Sequence, residues 1–85
     1  MNILVLRSFE DDFKKLPRDI QKQTLEKLVF LKDNRGHPSL RTKKMKGYER
    51  IWEGSISMSY RLTYHIEKDN IVLRRIGAHT ILKDQ

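Results

Sequence analysis

Ser59-Tyr60-Arg61-Leu62-Thr63-Tyr64 and, after the polar break Glu67-Lys68-Asp69-Asn70, Ile71-Val72-Leu73-Arg74-Arg75-Ile76-Gly77-Ala78-His79 read as the two strands of a hairpin. Along the first, Met58, Tyr60, Leu62, Tyr64 and Ile66 alternate as the apolar side. Ser57, Ser59, Arg61, Thr63 and His65 must therefore point the other way. A strand face that is small, polar and cationic suits a ligand carrying phosphates, because Arg presents a planar fork of donors and stays charged.

Working outward, Ile51 to Ile56 reads as a further strand, and Asn34 to Gly47 as a long irregular stretch. Before it, Ile20, Leu25, Leu28, Val29 and Leu31 form the apolar stripe of a helix from Pro17 to about Asp33, with Gly36 and Pro38 marking its exit. Ser8 is placed to cap a shorter helix whose Phe9, Phe13 and Leu16 share one face, and Pro17 separates the two helices. The aliphatic run Asn2 to Leu6 reads as a covered strand. The order is β, α, α, β, β, β over residues 1–85, an α+β single domain. Two helices on one face of a mostly antiparallel sheet leave the other face for function.

The chain has 85 residues and would bury only about 60–65% of its extended surface, so a site must be an open groove. Eighteen Lys and Arg against eleven Asp and Glu, a net charge of +7, favour an anionic partner, whether nucleic acid, an acidic membrane face or an acidic protein segment, with RNA the first suspect. Having no cysteine removes disulfides, thiolate catalysis and cysteine metal sites together. No apolar run approaches the ~20 residues of a membrane span, so the expectation is a cytoplasmic protein without a membrane role. His37, His65 and His79 lack metal-ligand spacing, and no glycine pattern cradles a nucleotide cofactor, so neither metal nor cofactor is expected.

Several cations remain to be placed. Arg61 is either a phosphate ligand or a solvated sheet arginine paired with Glu53 or Glu67. His79, just after a basic strand, is either a surface residue or a proton donor. Lys43, Lys44 and Lys46 are either solvated loop charges or contacts that hold an RNA backbone, and Arg50, Arg74 and Arg75 would widen the same patch. Tyr48, Trp52 and Tyr60 are the aromatic candidates for base stacking, although Trp52 and Tyr60 fall on core alternations.

Met45-Lys46-Gly47, the YRLTY segment at 60–64 and Leu73-Arg74-Arg75-Ile76-Gly77-Ala78-His79, in this order, resemble the RelE/ParE superfamily of toxins from toxin–antitoxin modules. The resemblance runs over nearly the whole chain and implies a ribosome-dependent mRNA endonuclease, an mRNA interferase that inhibits translation. It implies attack of the RNA 2′-hydroxyl on the scissile phosphate without metal, and silencing by a cognate antitoxin protein. Arg61 matches the arginine on the phosphate, and His79 the catalytic histidine of the YafQ branch. An ungapped comparison puts Trp52 and Gly54 where RelE has two lysines, and Ser55 and Ser59 where YafQ-like toxins have a histidine and an aspartate. Two alternatives stand beside the enzyme: a ParE-like gyrase inhibitor without catalysis, and an RNA- or ribosome-binding relic.

Register decides whether Arg61 and His79 can cooperate. A symmetrical four-residue turn at Glu67–Asn70 pairs Arg61 with Ile76 and sends His79 to the core side. A bulge, a five-residue turn, or a chain that leaves the strand before His79 brings the two together.

Overall fold

A computed structural model describes residues 2–83 and Gln85. The elements are β1 (Asn2–Val5), α1 (Arg7–Lys14), α2 (Arg18–Asp33), β2 (Lys43–Lys44), β3 (Trp52–Ser55), β4 (Tyr60–Glu67) and β5 (Asn70–Ala78). Short 3-10 segments cover Pro38–Leu40 and His79–Lys83. The sheet runs β1-β5-β4-β3-β2, with both helices against one face. The expected α+β architecture holds, with an added two-residue strand, β2, inside the stretch read as irregular. β2 is short because only Lys43 and Lys44 pair with β3, opposite Glu53 and Trp52.

β1 joins the sheet parallel to β5, with Ile3 opposite Ile71 and Val5 opposite Leu73. It is an edge strand rather than a covered one: Leu4 and Val5 stay 47% and 43% exposed, since α1 packs over β5 instead. Where β1 stops, α1 takes over as the neighbour of β5. Ser8 was expected to cap this helix, yet Leu6 holds the cap position and Ser8 Oγ donates to the Arg74 carbonyl at 2.6 Å. One turn later the Asp12 carboxylate accepts from the Ile76 N–H at 3.2 Å and from Arg75 Nε at 2.6 Å. Helix side chains thus satisfy strand backbone that would otherwise lack partners.

Pro17 stands at the N-cap of α2, where its missing N–H costs no helical bond. The buried side of α2 is narrower than the sequence stripe implies: Ile20, Thr24 and Leu31 are buried, whereas Leu25 and Val29 are each 58% exposed. Thr24 is tolerated in the core because its hydroxyl donates to the Ile20 carbonyl at 2.7 Å. Leu31, Leu40, Leu62, Tyr64, Ile71 and Leu73 form the heart of the core, and Trp52 and Tyr60 pack against it partly buried. Met58 is left out of the alternation, almost fully exposed, because β4 begins only at Tyr60.

The hairpin between β4 and β5 settles the register. Glu67 pairs with Asn70 around Lys68-Asp69, and Lys68 takes a left-handed φ of 56°. Pairing stays symmetrical as far as Tyr64 opposite Leu73, then Thr63 faces Arg75 and Arg74 is the extra residue of a β-bulge. Beyond the bulge Arg61 lies opposite Gly77, not Ile76, and the chain leaves the strand at Ala78.

Candidate functional site

The helix-free face of the sheet carries Glu53 and Ser55 from β3 opposite Thr63 and Arg61 from β4. Side chains alternate, so Trp52 and Gly54, opposite Tyr64 and Leu62, belong to the core side of β3. Gly54 shows this directly, since a Cβ there would meet Leu62 Cδ1 at 3.6 Å and the Leu40 carbonyl at 3.7 Å. The two positions matched without gaps to RelE lysines therefore say nothing about the cleft. The residues that face it on β3 are Glu53 and Ser55.

Past Ala78 the chain turns into the 3-10 segment and folds back across this face. Gly77 permits it: a Cβ there would stand 2.8 Å from Ile81 Cγ2, closer than side chains pack. The bulge and the turn together place Arg61 and His79 on one cleft of about 220 Å³, with Arg41, Lys43, Glu53 and Ser55. Lys43 faces the cleft because it pairs with Glu53, and its Nζ lies 3.8 Å from the Glu53 carboxylate. Lys44 pairs with Trp52 and so takes the opposite side of β2. Lys46 is exposed after β2 and does not line this cleft.

Arg61 does more than face solvent. Its Nη1 donates to the carbonyls of Ser57 (2.5 Å), Tyr60 (3.0 Å) and Met58 (3.3 Å), which closes the turn between β3 and β4. Neither alternative ion pair, with Glu53 or Glu67, forms among the described residues. Nε and Nη2 of Arg61 carry no protein partner among the described residues, so two donors stay available to an anion. Arg41 sits at the end of the Pro38–Leu40 turn with a left-handed φ of 47° and borders both this cleft and an adjoining one of about 300 Å³ beside Lys27 and Ser57. A non-glycine residue held in that region costs of order 1–2 kcal/mol.

Glu53 is the group that sequence reasoning missed as a member of the site. It is only 9% exposed, on the cleft side of β3. The signal was present in the alternation of Trp52-Glu53-Gly54-Ser55, once Trp52 is assigned to the core. Arg41 had no such signal, since nothing local says where a loop residue ends up.

The remaining predicted cations go elsewhere. Arg75 is tied to Asp12 of α1. Arg50 and Arg74 line a separate cleft at the far end of β4 with His65.

A family model covers residues 3–82, that of the ParE toxin of the type II toxin–antitoxin system parDE. The chain belongs to this ParE toxin family. It is a toxin of a toxin–antitoxin system, as the sequence resemblance implied. Solved structures with the same fold include the RelE of a RelB–RelE antitoxin–toxin complex from Methanococcus jannaschii, 23% identical over 95% of each chain with a TM-score of 0.77. A YoeB/ParE toxin from Agrobacterium tumefaciens superposes with a TM-score of 0.79 at 14% identity, covering 93% of this toxin and 99% of that chain. YafQ from Escherichia coli gives 0.67 at 18% identity, over 95% and 96%. Among curated proteins no sequence matches this toxin significantly.

Proposed function

We propose that this toxin is an endoribonuclease that cuts mRNA on the ribosome and so stops translation. The observation that carries the reading is the convergence of Arg61, His79 and Glu53 on one cleft. In the reaction the RNA 2′-oxygen bonds to the adjacent phosphorus while the bond from phosphorus to the 5′-oxygen breaks, leaving a 2′,3′-cyclic phosphate. Glu53 accepts the 2′-hydroxyl proton, and His79 donates one to the departing 5′-oxygen. Arg61 places Nε and Nη2 on the phosphate as its charge develops. Arg41 and Lys43 hold the flanking backbone, with Lys44 and Lys46 as outer contacts to RNA. No metal or cofactor enters these steps.

The partner is a cognate antitoxin, and two features support it. The RelE relative stands in a complex with RelB, and Leu25 and Val29 leave an apolar stripe on α2 without a cover. An acidic antitoxin segment would cover that stripe and neutralise part of the +7 charge.

The test is primer extension on mRNA programmed into ribosomes, with wild type, Arg61→Ala and His79→Ala. Ribosome-dependent cuts that fall by about 10²-fold or more in both variants support the reading. Intact message in every reaction sinks it. One observation favours a second reading, gyrase binding without catalysis: the matching family is named for parDE, and Arg61 Nη1 is already committed to the turn. DNA damage and filamentation in cells whose mRNA stays whole would establish that alternative.

A further inference from the structure

The far cleft, about 560 Å³, lies outside the proposed catalytic site, and Tyr48, Glu49, Arg50, His65, Glu67 and Arg74 supply its chemistry. His65 is four residues along β4 from Arg61, roughly 13 Å at the usual strand rise, a span that short single-stranded RNA bridges. The mixture of signs in this cleft is its most telling property. A site for bare phosphate would exclude Glu49 and Glu67, both exposed and both on its wall. Nucleotides, in contrast, carry an anionic phosphate on one side and base N–H donors on the other.

His65 narrows the choice of base. Arg74 Nη1 lies 3.1 Å from His65 Nδ1, and an arginine can only donate, so Nδ1 accepts and the ring proton sits on Nε2. Burial, followed by the charge of Arg74, holds the imidazole below its ordinary 6.5, so it is neutral at physiological pH. Arg74 is itself anchored by Nη2 on the Gln85 carbonyl at 2.9 Å, while its Nε is buried without a partner among the described residues. An Nε2–H donor in a cleft that two carboxylates also line suits a base with an acceptor next to two donors. Guanine has that edge, O6 beside N1–H and the N2 amine, whereas adenine, cytosine and uracil do not place two donors beside an acceptor in this way.

We propose that this cleft binds a guanine nucleotide of single-stranded RNA. Tyr48 stacks on the base, Glu49 or Glu67 accepts from N1–H and N2–H, His65 donates to O6, and Arg50 meets the phosphate. As a device that selects where the message is cut, the cleft rests on the ribonuclease reading; as a nucleotide site it does not.

The experiment is an NMR titration of the full chain with the 5′-monophosphates of guanosine, adenosine, cytidine and uridine, and with inorganic phosphate. Expected are shifts of the His65 ring and of the Arg50 and Glu67 amides, with guanosine monophosphate binding at least about tenfold tighter than the others. Tyr48→Ala should weaken binding about tenfold, and the double variant Glu49→Gln, Glu67→Gln should abolish the preference. Equal affinity for all four nucleotides, inorganic phosphate binding as tightly as guanosine monophosphate, or no shift in this cleft overturns the proposal. Because binding is read without cleavage, a toxin that binds guanosine monophosphate yet leaves mRNA whole separates failure of the ribonuclease reading from failure of this one.

Discussion

Glu53 tests the mechanism at the residue scale. If it is the base, Glu53→Gln keeps shape and hydrogen bonding but cannot take the proton, so single-turnover cleavage on ribosomes should drop by about 10²-fold or more at unchanged melting temperature. An equal loss of stability and activity would make Glu53 a structural partner of Lys43 instead. His65 gives a second expectation. Burial and the Arg74 charge set its folded-state pKa below the 6.5 of the free side chain. Between those values the unfolded chain binds more protons than the folded one, so stability falls as pH drops below about 6.5. Above that range the ring is neutral in both states and the term vanishes. The melting temperature should therefore decline between about pH 7 and pH 5, and His65→Gln should make that decline shallower. Arg61 and His79 were legible in the sequence because they interrupt or end an apolar alternation. Arg41 was not, since its position depends on a 3-10 turn and a left-handed backbone that no local pattern announces.

Elements come together here through two contacts made at β5. On one side the Asp12 carboxylate joins α1 to Arg75 and to the Ile76 N–H. Asp12→Ala leaves a half-buried guanidinium and a strand N–H without this partner, a loss of about 2–4 kcal/mol in urea unfolding. Asp12→Asn, which can still accept from Ile76, should cost less. On the other side Gly77 lets the last 3-10 segment lie flat on the sheet. Gly77→Ala should displace Ile81 and with it His79, lowering cleavage more than stability, and Ile81→Ala should recover part of the activity. The strand order and hairpin could be read from alternation and turn residues. What could not was long-range: the parallel partner of β1, the brief pairing of Lys43-Lys44, and the one-residue bulge at Arg74. These depend on which distant groups need hydrogen bonds, and a bulge changes no residue type along the strand.

For the whole molecule, the proposed antitoxin acts as a stabilising ligand as well as an inhibitor. At a hundredfold excess over Kd, a partner that binds only the folded toxin adds about 2.7 kcal/mol. For a domain of this size that raises the melting point by roughly 10–20 °C. Thermal denaturation of the toxin with its cognate antitoxin should show this rise, and Leu25→Asp should reduce it if the α2 stripe is covered. No rise would mean that silencing does not use the folded domain. The placement of β5 between β1 and β4 has one more outcome, and it concerns synthesis. Val5 finds Leu73 and Asp12 finds Ile76 only across most of the chain's length, contacts whose loop-closure entropy slows folding. Neither the N-terminal strand nor α1 has its neighbour until β5 has been made. A nascent chain on the ribosome thus carries the helices and the lysines with no assembled cleft until β5 has been made and has paired with β1 and β4.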